Sequence, residues 1–140
     1  MTAELFVDTS AWSALVDPGH PHHGSMAEEV RTRIASGVRM VTTNLVVAET
    51  HALLLRRAGR DLALQFLREV RREPLVVEHS TPDLEDRAVE RWLTPLQGKE
   101  ISLVHAVSFA VMEARGIREV LALDQAFAHA GFTLVPDTQR

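Results

Sequence analysis

Apolar residues along the chain follow two rhythms. Leu5-Phe6-Val7, Met40-Val41, Leu75-Val76-Val77 and Val120-Leu121-Ala122-Leu123 are short unbroken runs, as expected of strands buried on both faces. Between them, apolar residues recur at steps of three and four, which is the spacing of a helix with one dry stripe. The first and last of these strands each run into an aspartate, Asp8 and Asp124.

Caps and breakers set the helix limits. Ala11 to Val16 is a short helix stopped by Asp17-Pro18-Gly19. Met26, Ala27, Val30 and Ile34 mark an amphipathic helix from Ser25 to Gly37. The strand in Val38 to Thr43 leads to Asn44, expected to cap a long helix from Leu45 to Ala58 that Gly59 closes. A further helix covers Arg60 to Arg72. Thr81-Pro82 opens the next, with Leu84, Ala88, Val89 and Trp92 inward and Thr94-Pro95 at its end. Ser102 caps the helix Leu103 to Arg115, which stops at Gly116-Ile117 in a Schellman-type pattern. Gln125 to Ala130 is helix-like and precedes Gly131.

Composition narrows the class. A chain of 140 residues, 46% hydrophobic and 24% charged, suits one folded domain with one core and is not a disordered composition. There is no cysteine, which rules out disulfides and thiolate zinc and points to a reducing cytoplasm. No apolar run is long enough to span a bilayer, and Glu4 stands where a signal peptide would be basic. A formal charge of -4 argues against indiscriminate nucleic-acid binding while leaving room for a local basic face. Arg56, Arg57, Arg60, Arg68, Arg71 and Arg72 either form such a face or are a solvated helix surface.

The candidate chemistry lies where strands end. In an open parallel α/β sheet, Asp8 and Asp124 reach the carboxyl edge, where ligands bind. Two neighbouring carboxylates repel unless one is protonated or a cation lies between them, and oxygen ligands suit Mg²⁺ or Mn²⁺. Asp8, Thr9 and Ser10 equally suit a plain helix cap. Glu49 has Leu45, Val46, Ala52 and Leu53 as its helical neighbours. It is therefore expected on the buried stripe, held there by a cation or by an inward arginine. His105 falls at the third helical position after Ser102, where the helix dipole is expected to keep it neutral, as a metal ligand or as a core residue. His20, His22 and His23 are read as solvated turn residues rather than a metal site.

Phe6-Val7-Asp8-Thr9-Ser10, Thr43-Asn44 with Glu49, Ile101 through Ala110, and Leu123-Asp124 with Phe127 and Gly131-Phe132 together resemble the PIN-domain pattern, most closely that of the VapC-type toxins of bacterial toxin–antitoxin pairs. The resemblance implies a single domain over 1–140, a three-layer α/β/α fold whose central parallel sheet has four to five strands flanked by helices. It also implies an endoribonuclease that uses Mg²⁺ or Mn²⁺ to cut single-stranded or looped RNA. Carried over by position, Asp8, Glu49 and Asp124 match metal ligands, and Thr9, Ser10 and Asn44 match supporting residues. His105 stands where the family has aspartate. That change removes a negative charge and offers a nitrogen ligand, better suited to Mn²⁺. The resemblance further implies a homodimer and a VapB-like antitoxin laid across the acidic cleft. Ala11, Trp12 and Leu15 present an apolar face that suits either that antitoxin or the core. Two functional expectations follow: a ribonuclease toxin, or a PIN-fold RNA- or antitoxin-binding module disarmed at His105.

Overall fold

The computed structural model describes residues 3–96 and 100–137. Five parallel strands, β1 (Glu4–Val7), β2 (Arg39–Thr43), β3 (Leu75–Glu78), β4 (Glu119–Leu121) and β5 (Thr133–Val135), form one sheet in the order β3-β2-β1-β4-β5. β1 sits in the middle, with Phe6 level with Val41 on one side and Val120 on the other. Successive crossovers run from β1 toward β3 and then, past β1, toward β5. Right-handed crossovers in opposite directions place helices on opposite faces. The switch falls between β1 and β4, so the loops there part and open a crevice at the carboxyl edge.

Seven α-helices connect the strands among the described residues: α1 (Thr9–Val16), α2 (His23–Ala35), α3 (Asn44–Arg57), α4 (Arg60–Glu69), α5 (Pro82–Ala88), α6 (Leu103–Arg115) and α7 (Ala126–His129). α5 continues into a π-helical turn, Val89–Leu93. α1 packs on α2 and α3, and α3 on α4, whereas α5 packs on α6 and α6 on α7. The core fills both interfaces with the sheet. Leu5, Phe6 and Val7 are wholly buried, as their unbroken apolar run requires. On the α6 side Phe109 meets Phe127 edge-on at 5.0 Å and Trp92 at 5.2 Å. Such pairs add to plain area burial.

Several boundaries differ from expectation for identifiable reasons. Thr43, not Asn44, caps α3: its Oγ1 accepts from the Val46 N–H at 3.1 Å, because the hydroxyl lies three residues before that donor. Asn44 instead accepts from the Ser80 N–H through Oδ1 at 2.7 Å, tying α3 to the loop before α5. α2 starts at His23, ahead of Ser25, and α4 ends at Glu69, short of Arg72. Val89 is exposed, since as the residue after Ala88 it lies about 100° round the helix from the stripe that keeps Ala88 and Trp92 inside. Ala11 and Trp12 are core residues, so the apolar face expected on α1 is already covered by this chain. The stop of α6 is as read: Gly116 takes φ 70° and the Ile117 N–H reaches the Met112 carbonyl at 2.8 Å.

Candidate active site

β1 is short and buried, and it delivers Asp8 to the crevice at 2% exposure. Asp8 caps α1 as well. Its Oδ2 accepts from the Ser10 hydroxyl at 3.0 Å and from the Ser10 N–H at 3.4 Å. The cap reading and the site reading are therefore both true of one carboxylate, because it has two oxygens. The second, Oδ1, is buried and has no hydrogen-bond partner, and so is the hydroxyl of Thr9. A buried unpaired acceptor is costly. Burial pushes the Asp8 carboxyl above its ordinary range, against the nearby backbone N–H groups of Thr9 and Ser10, the charge of His105 and the Ser10 hydroxyl.

Asp124 comes from the loop after β4. Its Oδ1 accepts from the Ala126 N–H at 2.9 Å, and Oδ2 faces His105 Nε2 at 3.0 Å. The loops after β1 and β4 are joined directly, since the Leu123 N–H donates to the Ser10 hydroxyl at 2.9 Å. Ser10 thus orients Asp8 and fixes the approach to Asp124 with a single oxygen.

His105 stands in the first turn of α6, in a capping box with Ser102. The Ser102 hydroxyl accepts from the His105 N–H at 3.2 Å, and His105 Nδ1 accepts from the Ser102 N–H at 3.3 Å. Its ring stacks on Phe109 and meets Phe127 edge-on, so the aromatic core fixes the plane. The expectation that the helix dipole dominates here is corrected. The Asp124 hydrogen bond raises the His105 pKa, burial opposes, and the charges of Asp124, Asp8 and Glu49 add to the rise. A full carboxylate at contact outweighs a helix-end half charge. His105 in turn holds Asp124 below the usual carboxylate range. The two aspartates thus part ways: burial pushes Asp8 upward, and His105 holds Asp124 downward.

One ligand atom each of Asp8, His105 and Asp124 lies within 4.8 Å of the others. Two carboxylates, one of them with a buried orphan oxygen, and an imidazole form a donor set that fits a divalent cation. Glu49 is corrected from buried to exposed. The dry face of α3 is Val46, Val47, Thr50 and Leu54, one step round the helix from the stripe expected, so Glu49 sits at the margin of that face. There it lines the cleft of about 220 Å³ that also holds Asp8, His105 and Asp124. Thr9 and Ser10 line the same cleft, and Asn44 does not. Ser13, His20, Leu53 and Arg57 are on its wall as well. Arg57 was legible as the residue eight beyond Glu49 on one helical face. His20 carried no such signal, because a loop brings it there. Past His105 and Asp124 a second cavity of about 370 Å³ continues to Ile101 and His129. A larger one, about 400 Å³, opens at the amino ends of β2 and β3 around Val38, Arg39 and Leu75. No cluster of metal-ligating groups occurs there among the described residues.

Comparison with known proteins agrees with this geometry. The PIN domain model matches residues 5–133. The 23S rRNA-specific endonuclease VapC20 of Mycobacterium tuberculosis, strain H37Rv, is 41% identical over 132 residues, spanning 94% of this chain and 97% of the relative. The crystal structure of Mycobacterium tuberculosis VapC20, described as a sarcin–ricin loop cleaving toxin, matches with a TM-score of 0.82 at 39% identity, over 92% of this chain and 96% of that one. FitAcB from Neisseria gonorrhoeae shares the fold, with a TM-score of 0.62 at 16% identity over 93% and 95% of the two chains. With its five-stranded parallel sheet and its acids gathered at the carboxyl edge, the chain belongs to the PIN-domain family and, within it, to the VapC-type toxins.

Proposed function

We propose that the chain is a divalent-metal-dependent endoribonuclease toxin. The observation that carries this reading is the cluster of Asp8, His105 and Asp124, one ligand atom of each within 4.8 Å of the others, in which the Asp8 carboxylate keeps a buried, unpartnered oxygen. Asp8, Asp124 and His105 would hold Mg²⁺ or Mn²⁺, with Glu49 at the rim, and the nitrogen ligand favours Mn²⁺. When bound, the ion supplies an activated water and offsets charge developing on the scissile phosphate. Ser10 keeps Asp8 oriented, and Ser102 with Phe109 keeps the His105 ring in place. The naming of VapC20 for 23S rRNA and for the sarcin–ricin loop supports a structured RNA of that kind as substrate. The same family supports a VapB-like antitoxin segment over the cleft, a homodimer and a cytoplasmic setting for one domain over 1–140. No described helix is long and apolar enough to cross a membrane.

A second reading is favoured by one contact. His105 Nε2 and Asp124 Oδ2 satisfy each other at 3.0 Å, as expected of a disarmed site that still binds RNA or antitoxin. Cleavage of a synthetic sarcin–ricin hairpin in Mg²⁺ or Mn²⁺ separates the two. The nuclease reading expects cutting by the parent chain, faster in Mn²⁺, and none by Asp8→Ala. Cutting by His105→Asp alone would establish the binding module instead.

A further inference from the structure

We infer that Arg57 and His20 form the seat for an RNA backbone phosphate beside the one that is cut. This inference rests on the nuclease reading and adds to it the residues that hold the substrate. Glu49, Leu53 and Arg57 lie at successive four-residue steps of α3, and all three line the cleft. Such spacing puts them in one row along the helix. Eight residues at about 1.5 Å each separate Glu49 from Arg57 by roughly 12 Å along the axis. The row therefore starts at the acids and ends on a guanidinium further along the cleft.

Charge explains why such a group is needed. Asp8, Glu49 and Asp124 face the same space, and three carboxylates repel a polyanion everywhere a cation does not offset them. Arg57 is the only arginine or lysine among the described residues on that wall. Its situation differs from that of Arg33, Arg39, Arg91 and Arg115, each of which pairs with a glutamate. Arg57 forms no ion pair among the described residues, and its fork of donors suits a phosphate.

His20 reaches the cleft from the connection between α1 and α2. Its Nδ1 accepts from the His22 N–H at 3.1 Å. That bond commits Nδ1 as an acceptor and leaves the proton of the neutral ring on Nε2, which makes the ring a donor. A ring nitrogen that can donate and a guanidinium on the wall of one cleft form a phosphate-binding pair built from two separate elements.

The probe is the synthetic sarcin–ricin hairpin. Cleavage is followed with the parent chain and its variants, and binding is followed in an Asp8→Asn background at several salt concentrations. Arg57→Ala should raise KM and Kd about tenfold with kcat within about twofold, since it removes one charge-assisted contact. It should also flatten the slope of log K against log salt by about 0.7, the contribution of one phosphate contact on a single strand. Arg57→Lys should restore the slope without restoring all of the affinity. Arg56→Ala, also in the last turn of α3 but off the cleft wall, should leave KM near the parent value. His20→Asn keeps an acceptor for the His22 N–H and deletes Nε2; it should raise KM roughly threefold or more with the salt slope unchanged. An unchanged slope in Arg57→Ala, an equal loss in Arg56→Ala, or an unchanged KM in His20→Asn would each overturn the two-residue seat. A parent chain that cuts the hairpin while Arg57→Ala matches it sinks this inference alone; a parent chain that neither binds nor cuts sinks the nuclease reading with it.

Discussion

β1 carries a carboxylate at its start and delivers another just past its end, and the two have opposite fates. Glu4 is met by Arg39 and Arg115, and Arg115 also reaches Glu78 at 2.6 Å. Burial disfavours the charged form of Glu4, but the two guanidinium groups outweigh it and its pKa falls. Asp8, four residues on, has neighbours that orient it and, among the described residues, no arginine or lysine bonded to it, and its pKa rises. One strand thus holds a charge balanced from within the chain and a charge left to be balanced from outside. The first serves the fold. The second, unfavourable in the free protein, fits the cation proposed for the site.

The sharpest way to break this contrast is Asp8→Asn. Activity should fall by at least about a hundredfold, beyond the loss typical of groups that only support a ligand. Unfolding of the metal-free variant should instead cost on the order of 1 kcal/mol more than that of the parent, since a neutral amide bears burial better than a carboxylate. The pH dependence fixes the sign. The folded chain holds the Asp8 proton more tightly than the unfolded one, so the parent loses stability as pH rises from about 3.8 through the raised folded value. The advantage of the variant should therefore appear above that pH and vanish below it. Chemical denaturation at several pH values checks this, and added Mn²⁺ should stabilise the parent only. A variant no more stable than the parent at neutral pH would mean that Asp8 is not held at a cost.

Glu4→Gln tests the other end, with a smaller effect of opposite sign. It removes ion pairs to two arginines at a side chain that is 10% exposed and should destabilise by about 1–2 kcal/mol at neutral pH, between the scales of surface and buried pairs. The folded pKa is depressed, so the contribution is fully present above about 4.5 and is lost as pH falls through the lowered folded value. The deficit should shrink over that acid range in the same denaturation series. Cleavage should stay within about twofold of the parent, as Glu4 is outside the cleft lining.

The same contrast explains how far the sequence could be read. Leu5-Phe6-Val7 and Val120-Leu121 declare buried strands because both faces are dry; Asp8 follows the first at once, and Asp124 lies three residues beyond Leu121. The sequence also shows the three-step link from Ser102 to His105, because a capping box is local. What it does not show is any relation set by rotation or by long-range contact. Glu49 lies one step of α3 away from its expected face, since Leu45 and Ala52 look as apolar as the Val47 that is buried instead. Thr50 is polar and wholly buried, which no periodicity in hydrophobicity can reveal. The Glu4–Arg115 pair spans 111 residues, and His20 reaches the cleft by a loop. The direction in which the His105 pKa moves has a related cause: its helix is visible in the sequence, but the hydrogen bond to Asp124, 19 residues away, is not.

Ser102→Ala is the mildest test, and it probes a group between the two extremes. His105 is neither fully balanced nor left open: Nε2 faces Asp124, and Nδ1 is held by the Ser102 N–H while the Ser102 hydroxyl accepts from the His105 backbone. Removing that hydroxyl deletes the cap of α6 and should cost about 1 kcal/mol in unfolding free energy. Ser102→Thr retains a capping hydroxyl and should recover most of it. The Ser102 N–H remains in the alanine variant, so Nδ1 keeps its donor, and the stacking on Phe109 keeps the ring plane. Cleavage should therefore fall no more than a few fold, well under the roughly 10- to 100-fold typical when the partner that orients a metal-bound histidine is lost. A small loss in both readouts makes the backbone and the aromatic core the elements that aim His105. A collapse of activity with stability intact would instead assign that task to the hydroxyl, and would move Ser102 from the balanced part of the molecule into the open site.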